Sequence, residues 1–108
     1  MINFLSKKIV NILKILLTNS GRRTYFVEFV KNLKLKKIKL YLSDSSSHVP
    51  TASLVKKSNF LNLPISTKKR EYKNKLKKFI LNQKIDLIIP LSDYDLNILS
   101  SLKNELND

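Results

Sequence analysis

The sequence predicts an α/β domain built on a parallel sheet, and three observations carry that prediction. Four short apolar runs alternate with longer amphipathic stretches along the 108 residues, the order expected of strands joined by crossover helices. The first and last runs are almost continuously apolar, as strands buried on both faces are. The one glycine of the chain, Gly21, falls directly after the first run, where such folds turn sharply from strand to helix and aim backbone N–H groups at a ligand.

Residues 1–12 read as an N-terminal extension, and 13–108 as the domain. The first strand is Leu13 to Thr18. The helix after it carries Phe26, Phe29, Val30 and Leu33 at i, i+3, i+4 and i+7, a stripe expected to face the sheet. The second strand, Ile38 to Ser43, ends at Asp44, and a polar loop leads to Pro50. That proline suits the first turn of a short helix over 51–57. The third strand is Asn59 to Leu63, stopped by Pro64. Ser66 and Thr67 are candidate N-caps of a long helix reaching Asn82, with Tyr72, Leu76, Phe79 and Ile80 as its apolar face. The fourth strand is Asp86 to Ile89, stopped by Pro90. Ser92 and Asp95 form a capping-box pattern before a last helix whose stripe is Leu96, Leu99, Leu102 and Leu106. Crossovers are expected to be right-handed, and ligands are expected beyond the carboxyl ends of the strands.

Composition excludes several classes. With no cysteine there is no disulfide and no thiolate metal site, and a single histidine, His48, cannot build a multi-histidine site. No apolar run approaches the ~20 residues of a membrane span, and no secretory signal pattern opens the chain. The expectation is a cytoplasmic protein without membrane contact. The net charge of +13 suggests nucleic acid. However, 18 of the 21 basic residues are lysine, and lysine, asparagine and isoleucine fill 40 of 108 positions, the mark of an A/T-rich coding sequence. Nucleic-acid sites favour arginine and stacking aromatics, so solvated lysine faces are the expected meaning of the charge.

The polar residues worth weighing cluster in the loops after the strands. Thr18-Asn19-Ser20-Gly21-Arg22-Arg23 offers hydroxyls, backbone donors, a helix start and two guanidiniums, a set suited to phosphate or carboxylate. It reads equally as a plain strand-to-helix turn. It lacks the other glycines of a dinucleotide fingerprint and the glycine-lysine-serine/threonine ending of a P-loop. Asp44 stands where doubly wound folds place a ribose-binding acid, and equally where a loop aspartate caps a turn. Asp93 and Asp95 suit a cation or a substrate amine, or else helix capping. No set of residues meets the requirements of a catalytic constellation.

Three strings carry a resemblance: ILLTNSGRRTYFVEFVKN at 15–32, YLSDSSSHVPTA at 41–52 and KIDLIIPLSDYDL at 84–96. In this order and spacing they resemble the N-terminal (pre-ATP-grasp) domain of ATP-grasp ligases, in particular those similar to the carbamoyl-phosphate synthase large subunit. The likeness spans Leu13 to Leu106. It implies a Rossmann-like three-layer α/β/α domain with a four-stranded parallel sheet. It also implies use of ATP and Mg²⁺ to activate a carboxylate for attack by an amine, with this domain closing the substrate side of the cleft. By that resemblance Ser20, Gly21, Arg22 and Arg23 line the cleft, and Asp44 and the Pro90–Asp95 loop, with Asp93, lie beside them. Either arginine is then the partner of a carboxylate or acyl phosphate.

In that family the phosphate-holding lysines and Mg²⁺-holding acids belong to later domains. The expectation is therefore a chain that holds no cofactor of its own and is inactive in isolation. Its ATP-grasp domain would be joined in cis or supplied as a separate chain, unless the chain is a relic. Its other partner would be a small carboxylate or amine substrate. The rival readings are a stand-alone nucleotide- or phosphate-binding module and, further off, a basic nucleic-acid-binding protein with steeply salt-dependent affinity.

Overall fold

Leu16 and its two neighbours show how the sequence becomes layers. In a strand, successive side chains point to opposite faces. Ile15 and Leu17 enter one apolar cluster with Val27, Val30, Leu40 and Leu42. Leu16 enters the other, with Tyr41, Tyr72, Leu76, Ile88, Leu99 and Leu102. A strand apolar at every position therefore needs cover on both faces, and a three-layer sandwich supplies it. The computed structural model describes residues 2–3, 12–33, 37–65 and 67–106.

The strands are β1 (Ile2–Asn3), β2 (Ile12–Thr18), β3 (Lys37–Asp44), β4 (Phe60–Asn62) and β5 (Leu87–Pro90). The helices are α1 (Thr24–Lys31), α2 (Lys69–Gln83) and α3 (Leu96–Leu106). The sheet order is β1-β5-β2-β3-β4. The four strands β2 to β5 are mutually parallel, with Leu16 opposite both Tyr41 and Ile88. This is the predicted four-stranded parallel sheet in an α/β/α frame. One addition comes from the segment read as an extension. Ile2 and Asn3 pair antiparallel with Ile88 and Leu87 and border the sheet beyond β5. The rest of that segment, 4–11, lies outside the described residues. Among the described residues no helix is long and apolar enough to cross a membrane.

Several elements differ from the periodicity reading. In α1 the buried residues are Val27 and Val30, and Phe29 is 61% exposed. Phe26 and Leu33 of the expected stripe pack against the same cluster, and Val27 takes the place expected of Phe29. Residues 51–57 form no α-helix. Pro50–Leu54 and Lys57–Asn59 are 3₁₀ turns, a tighter winding used for short connectors. Helix α2 starts after Lys68 with no side-chain cap, and Ser66 lies outside the described residues. Its apolar face is as predicted, with Tyr72, Leu76 and Ile80 buried and Phe79 packed beside them. It ends on Lys84 in the left-handed conformation (φ 56°, ψ 52°). Helix α3 buries Ile98, Leu99 and Leu102, and Leu96 is partly exposed.

At the amino end of the sheet, Asp86 ties β5 to β2. Lys14 N–H donates to its carboxylate at 3.0 Å, and its own N–H donates to Lys14 carbonyl at 2.9 Å. At the opposite end, Leu91 N–H donates to Thr18 carbonyl at 3.1 Å. The chain runs β2, β3, β4 in one direction and returns with β5 on the other side of β2. The direction of winding thus reverses between β2 and β5, and the loops that follow them part at that point.

Candidate functional site

The loop after β2 is held from beneath. Asn19 turns it in the left-handed region (φ 54°), which asparagine tolerates better than most residues. Ser20 is fully buried, and both its N–H (3.0 Å) and its hydroxyl (3.3 Å) donate to the Ser43 carbonyl. Gly21 N–H donates to Asp44 Oδ2 at 2.8 Å. A Cβ on Gly21 would lie 2.5 Å from that oxygen and 2.8 Å from both Asp44 Cγ and Val49 Cγ1. Glycine is therefore required here for close approach, and its φ is not positive.

This corrects the expectation of free backbone donors. Ser20 N–H and Gly21 N–H serve β3, and Arg23 N–H donates back to the Ser20 carbonyl at 3.0 Å. Three backbone donors of the turn are thus used within the fold. Ser20 and Gly21 lie below the cleft and shape it.

Asp44 is likewise a clasp. Its Oδ2 takes Gly21 N–H, its Oδ1 takes Ser46 N–H at 3.2 Å, and its main-chain carbonyl takes Leu63 N–H at 2.9 Å. One residue thus fixes the loops after β2, β3 and β4 relative to each other. The sequence reading of Asp44 as a turn-capping aspartate describes its bonds, and its half-buried carboxylate also lines the cleft.

Three adjoining depressions run along the carboxyl edge of the sheet. The narrowest, about 270 Å³, lies over β3 and β4 between Asn19, Asp44, Leu63, Pro64 and Asp95. The next, about 590 Å³, shares Asn19, Asp44 and Ser45 with it and is walled by Arg22, Arg23 and His48. The third, about 520 Å³, shares Arg23, Leu91 and Ser92 with the second and reaches Asp93. Arg22, Arg23, His48 and Asp93 are exposed along this groove. Of the residues read from sequence, the structure brings Arg22, Arg23, Asp44 and Asp93 to one continuous groove. Tyr25 is 85% exposed and faces solvent away from the core.

Beneath the smallest depression lies a buried network that joins Thr18, Tyr72 and Asp95, residues the sequence named separately. Asp95 is 1% exposed. Thr18 Oγ1 donates to Asp95 Oδ2 at 2.6 Å, and the Tyr72 hydroxyl donates to the same oxygen at 3.1 Å. Asp95 closes a 3₁₀ turn, Asp93–Asp95, before α3, and its side chain points into the fold instead of capping the helix. Burial, reinforced by the adjacent Asp95 carboxylate, holds the Tyr72 hydroxyl protonated far above the usual tyrosine range. The second oxygen, Asp95 Oδ1, and the Ser43 hydroxyl are buried without a hydrogen-bond partner among the described residues. The available signal was Tyr72 itself, the one hydroxyl in the apolar stripe of α2. A stripe that buries a phenol must also bury its acceptor.

Among the described residues no group of three or more histidine, cysteine, aspartate or glutamate side chains could hold a metal ion. The family model described as PylC-like, N-terminal domain, matches residues 15–108. The chain belongs to that family. It is thereby an N-terminal module of the ATP-grasp ligase type, and the match spans β2 through α3. No curated protein matches the sequence. In this PylC-like domain the groove at the strand ends is the candidate site.

Proposed function

We propose that this PylC-like N-terminal domain is the substrate-side module of an ATP-grasp carboxylate–amine ligase, in the manner of the carbamoyl-phosphate synthase large subunit that its motifs resemble. The observation that carries the reading is the continuous groove with Arg22 and Arg23 on its wall and Asp44 at its centre. Two guanidiniums on one open wall suit a carboxylate, which a planar fork of N–H donors grips in a defined orientation. Both arginines are exposed on the groove wall, within reach of a substrate.

In this reading an ATP-grasp domain, in cis or as a separate chain, holds ATP and Mg²⁺, which supply the phosphoryl group that activates the carboxylate. The residues of this domain orient the substrate, exclude water from one side and fix the groove through the Asp44 clasp. Alone they bind weakly and do not catalyse ligation. The domain then works in the cytoplasm, where ATP is available.

The test is kinetic. In the ligase assembled with its ATP-grasp domain, replacing Arg22 and Arg23 together with alanine raises KM or lowers kcat by more than about tenfold, about 1.4 kcal/mol of lost stabilisation. Both side chains are exposed, so thermal stability stays within about 0.5 kcal/mol. Kinetic parameters that each move by less than about threefold refute the assignment.

A further inference from the structure

We infer that the channel between α2 and α3 is a docking surface for an acidic segment of another polypeptide, one whose carboxylates are spaced like successive turns of a helix. The channel shares no lining residue with the strand-end depressions, and its role is independent of the substrate-side reading.

The two helices are bridged along their length. Lys73 Nζ donates to Ser101 Oγ at 3.0 Å and pairs with Glu105 at 2.5 Å, and Lys77 reaches the same carboxylate at 3.8 Å. Between the helices lies a concavity of about 580 Å³, with the buried Ile98 at its floor.

The walls are unbalanced in charge. Lys69, Arg70, Lys73 and Lys77 line the channel from α2, and Glu105 from α3 is the one carboxylate among the described lining residues. The hydrogen bond from Lys73 holds the Glu105 carboxyl below the usual carboxylate range, and that single charge is shared by two lysines. Lys69 and Arg70 make no ion pair among the described residues. Lys69, Lys73 and Lys77 stand at i, i+4 and i+8, and like charges at that spacing weaken a helix. Lys69 and Arg70 also open α2, at the end of the helix dipole that disfavours cations. A bound anion relieves both sources of repulsion. Coding bias raises the number of lysines over the whole chain, so the control below removes two of them elsewhere.

Shape and chemistry select the anion. A second copy of the chain carries +13 itself and is repelled. Nucleic acid is held by guanidinium forks and stacking aromatic rings, whereas the described lining has one arginine and no aromatic ring. Leu81, four residues beyond Lys77 on α2, is 57% exposed, an apolar seat that a sugar–phosphate chain does not fill. A polypeptide supplies both kinds of group. Acidic side chains one helical turn apart, or at alternate positions of an extended chain, step by about 6–7 Å, which matches the row of lysines along α2.

The experiment titrates the isotopically labelled 108-residue chain with an acetylated, amidated hexaglutamate peptide in about 20 mM salt, where screening is weak, and reads backbone amide shifts. Saturable shifts are expected at Arg70, Asn74, Lys77 and Ser101, with a Kd below about 1 mM. Lys73→Gln combined with Lys77→Gln should weaken binding by more than about fivefold. Lys56→Gln combined with Lys57→Gln removes the same charge from exposed positions outside the channel, and should weaken it by less than about twofold. Glu105→Gln should tighten binding by about threefold or more, a gain that damage to the fold does not produce. The absence of saturable shifts, equal losses in the two double variants, shifts spread over the whole surface, or no gain from Glu105→Gln each overturn the inference. So does an oligothymidylate that displaces the peptide from the same residues at a lower concentration, since the channel is then a nucleic-acid groove.

Discussion

Replacing Gly21 with alanine separates two reasons for a glycine. If the residue were there for left-handed backbone, any side chain would be strained. If it were there merely for flexibility, alanine would stabilise the domain by about 0.4–1 kcal/mol by restricting the unfolded chain. The structure shows neither case. The φ of Gly21 is not positive, and the new methyl would meet Asp44 Oδ2 at 2.5 Å and Asp44 Cγ and Val49 Cγ1 at 2.8 Å each. Relief requires the Asp44 side chain to move, and that breaks its 2.8 Å bond from Gly21 N–H. Overpacking costs about 1–3 kcal/mol, and losing a hydrogen bond to a charged acceptor costs about 1.5–3 kcal/mol. One displacement causes both, so the terms overlap, and the net is about 2–4 kcal/mol after the chain-entropy gain. A domain of this size then loses about 10–20 °C in Tm. The assay is thermal and urea unfolding followed by circular dichroism. Asp44→Ala removes the two nearest oxygen and carbon atoms, so Gly21→Ala should cost less in that background. A Tm for Gly21→Ala equal to or above the wild type would refute the argument, and so would identical costs in the two backgrounds.

Other predictions follow from single contacts. Tyr72→Phe removes the 3.1 Å donor to Asp95 and should cost about 1–2 kcal/mol in urea unfolding at neutral pH. Folded Tyr72 keeps its proton where an unfolded tyrosine, with its ordinary value near 10.0, has lost it. The folded state then binds more protons, and wild-type stability should decline as pH rises past about 10, by up to about 1.4 kcal/mol per pH unit. The phenylalanine variant should lack that component; parallel pH profiles for the two proteins would contradict the burial of the hydroxyl. Lys84→Gly, at the left-handed residue that ends α2 (φ 56°), should stabilise by about 0.5–1 kcal/mol, since glycine enters that region without steric cost. An unchanged or lower urea midpoint would count against it.

Much of the architecture was legible because it depends on local pattern. Leu13 to Thr18 and Asp86 to Ile89 read as buried strands by their nearly continuous apolar character, and Tyr72, Leu76 and Ile80 read as a helix face by spacing. Those patterns persist because burying apolar area dominates the energetics whatever the partners are. In the α1 stripe Phe26, Val30 and Leu33 pack as read and only Phe29 does not, since Phe29 and Val27 are both apolar and only the direction of the helix against the sheet selects the valine. Ile2 and Asn3 could not be placed at all, because their partners, Ile88 and Leu87, are more than eighty residues away and main-chain pairing leaves little trace in composition.

The site divides along the same line. Sequence alone located the loops that border the candidate groove and named Ser20, Gly21, Arg22, Arg23, Asp44, Asp93 and Asp95, because loops after parallel strands converge at one edge of a sheet. Tertiary structure decided what each group does. Asp44 has its oxygens engaged by Gly21 and Ser46, and Asp95 passes from helix start to buried acceptor because Thr18 and Tyr72 arrive from two other elements. Hydrogen-bond partners drawn from β2, α2 and the turn before α3 are separated by 77 and 23 residues in the chain. Their meeting is a consequence of packing the sheet, and no reading of neighbours along the chain contains it.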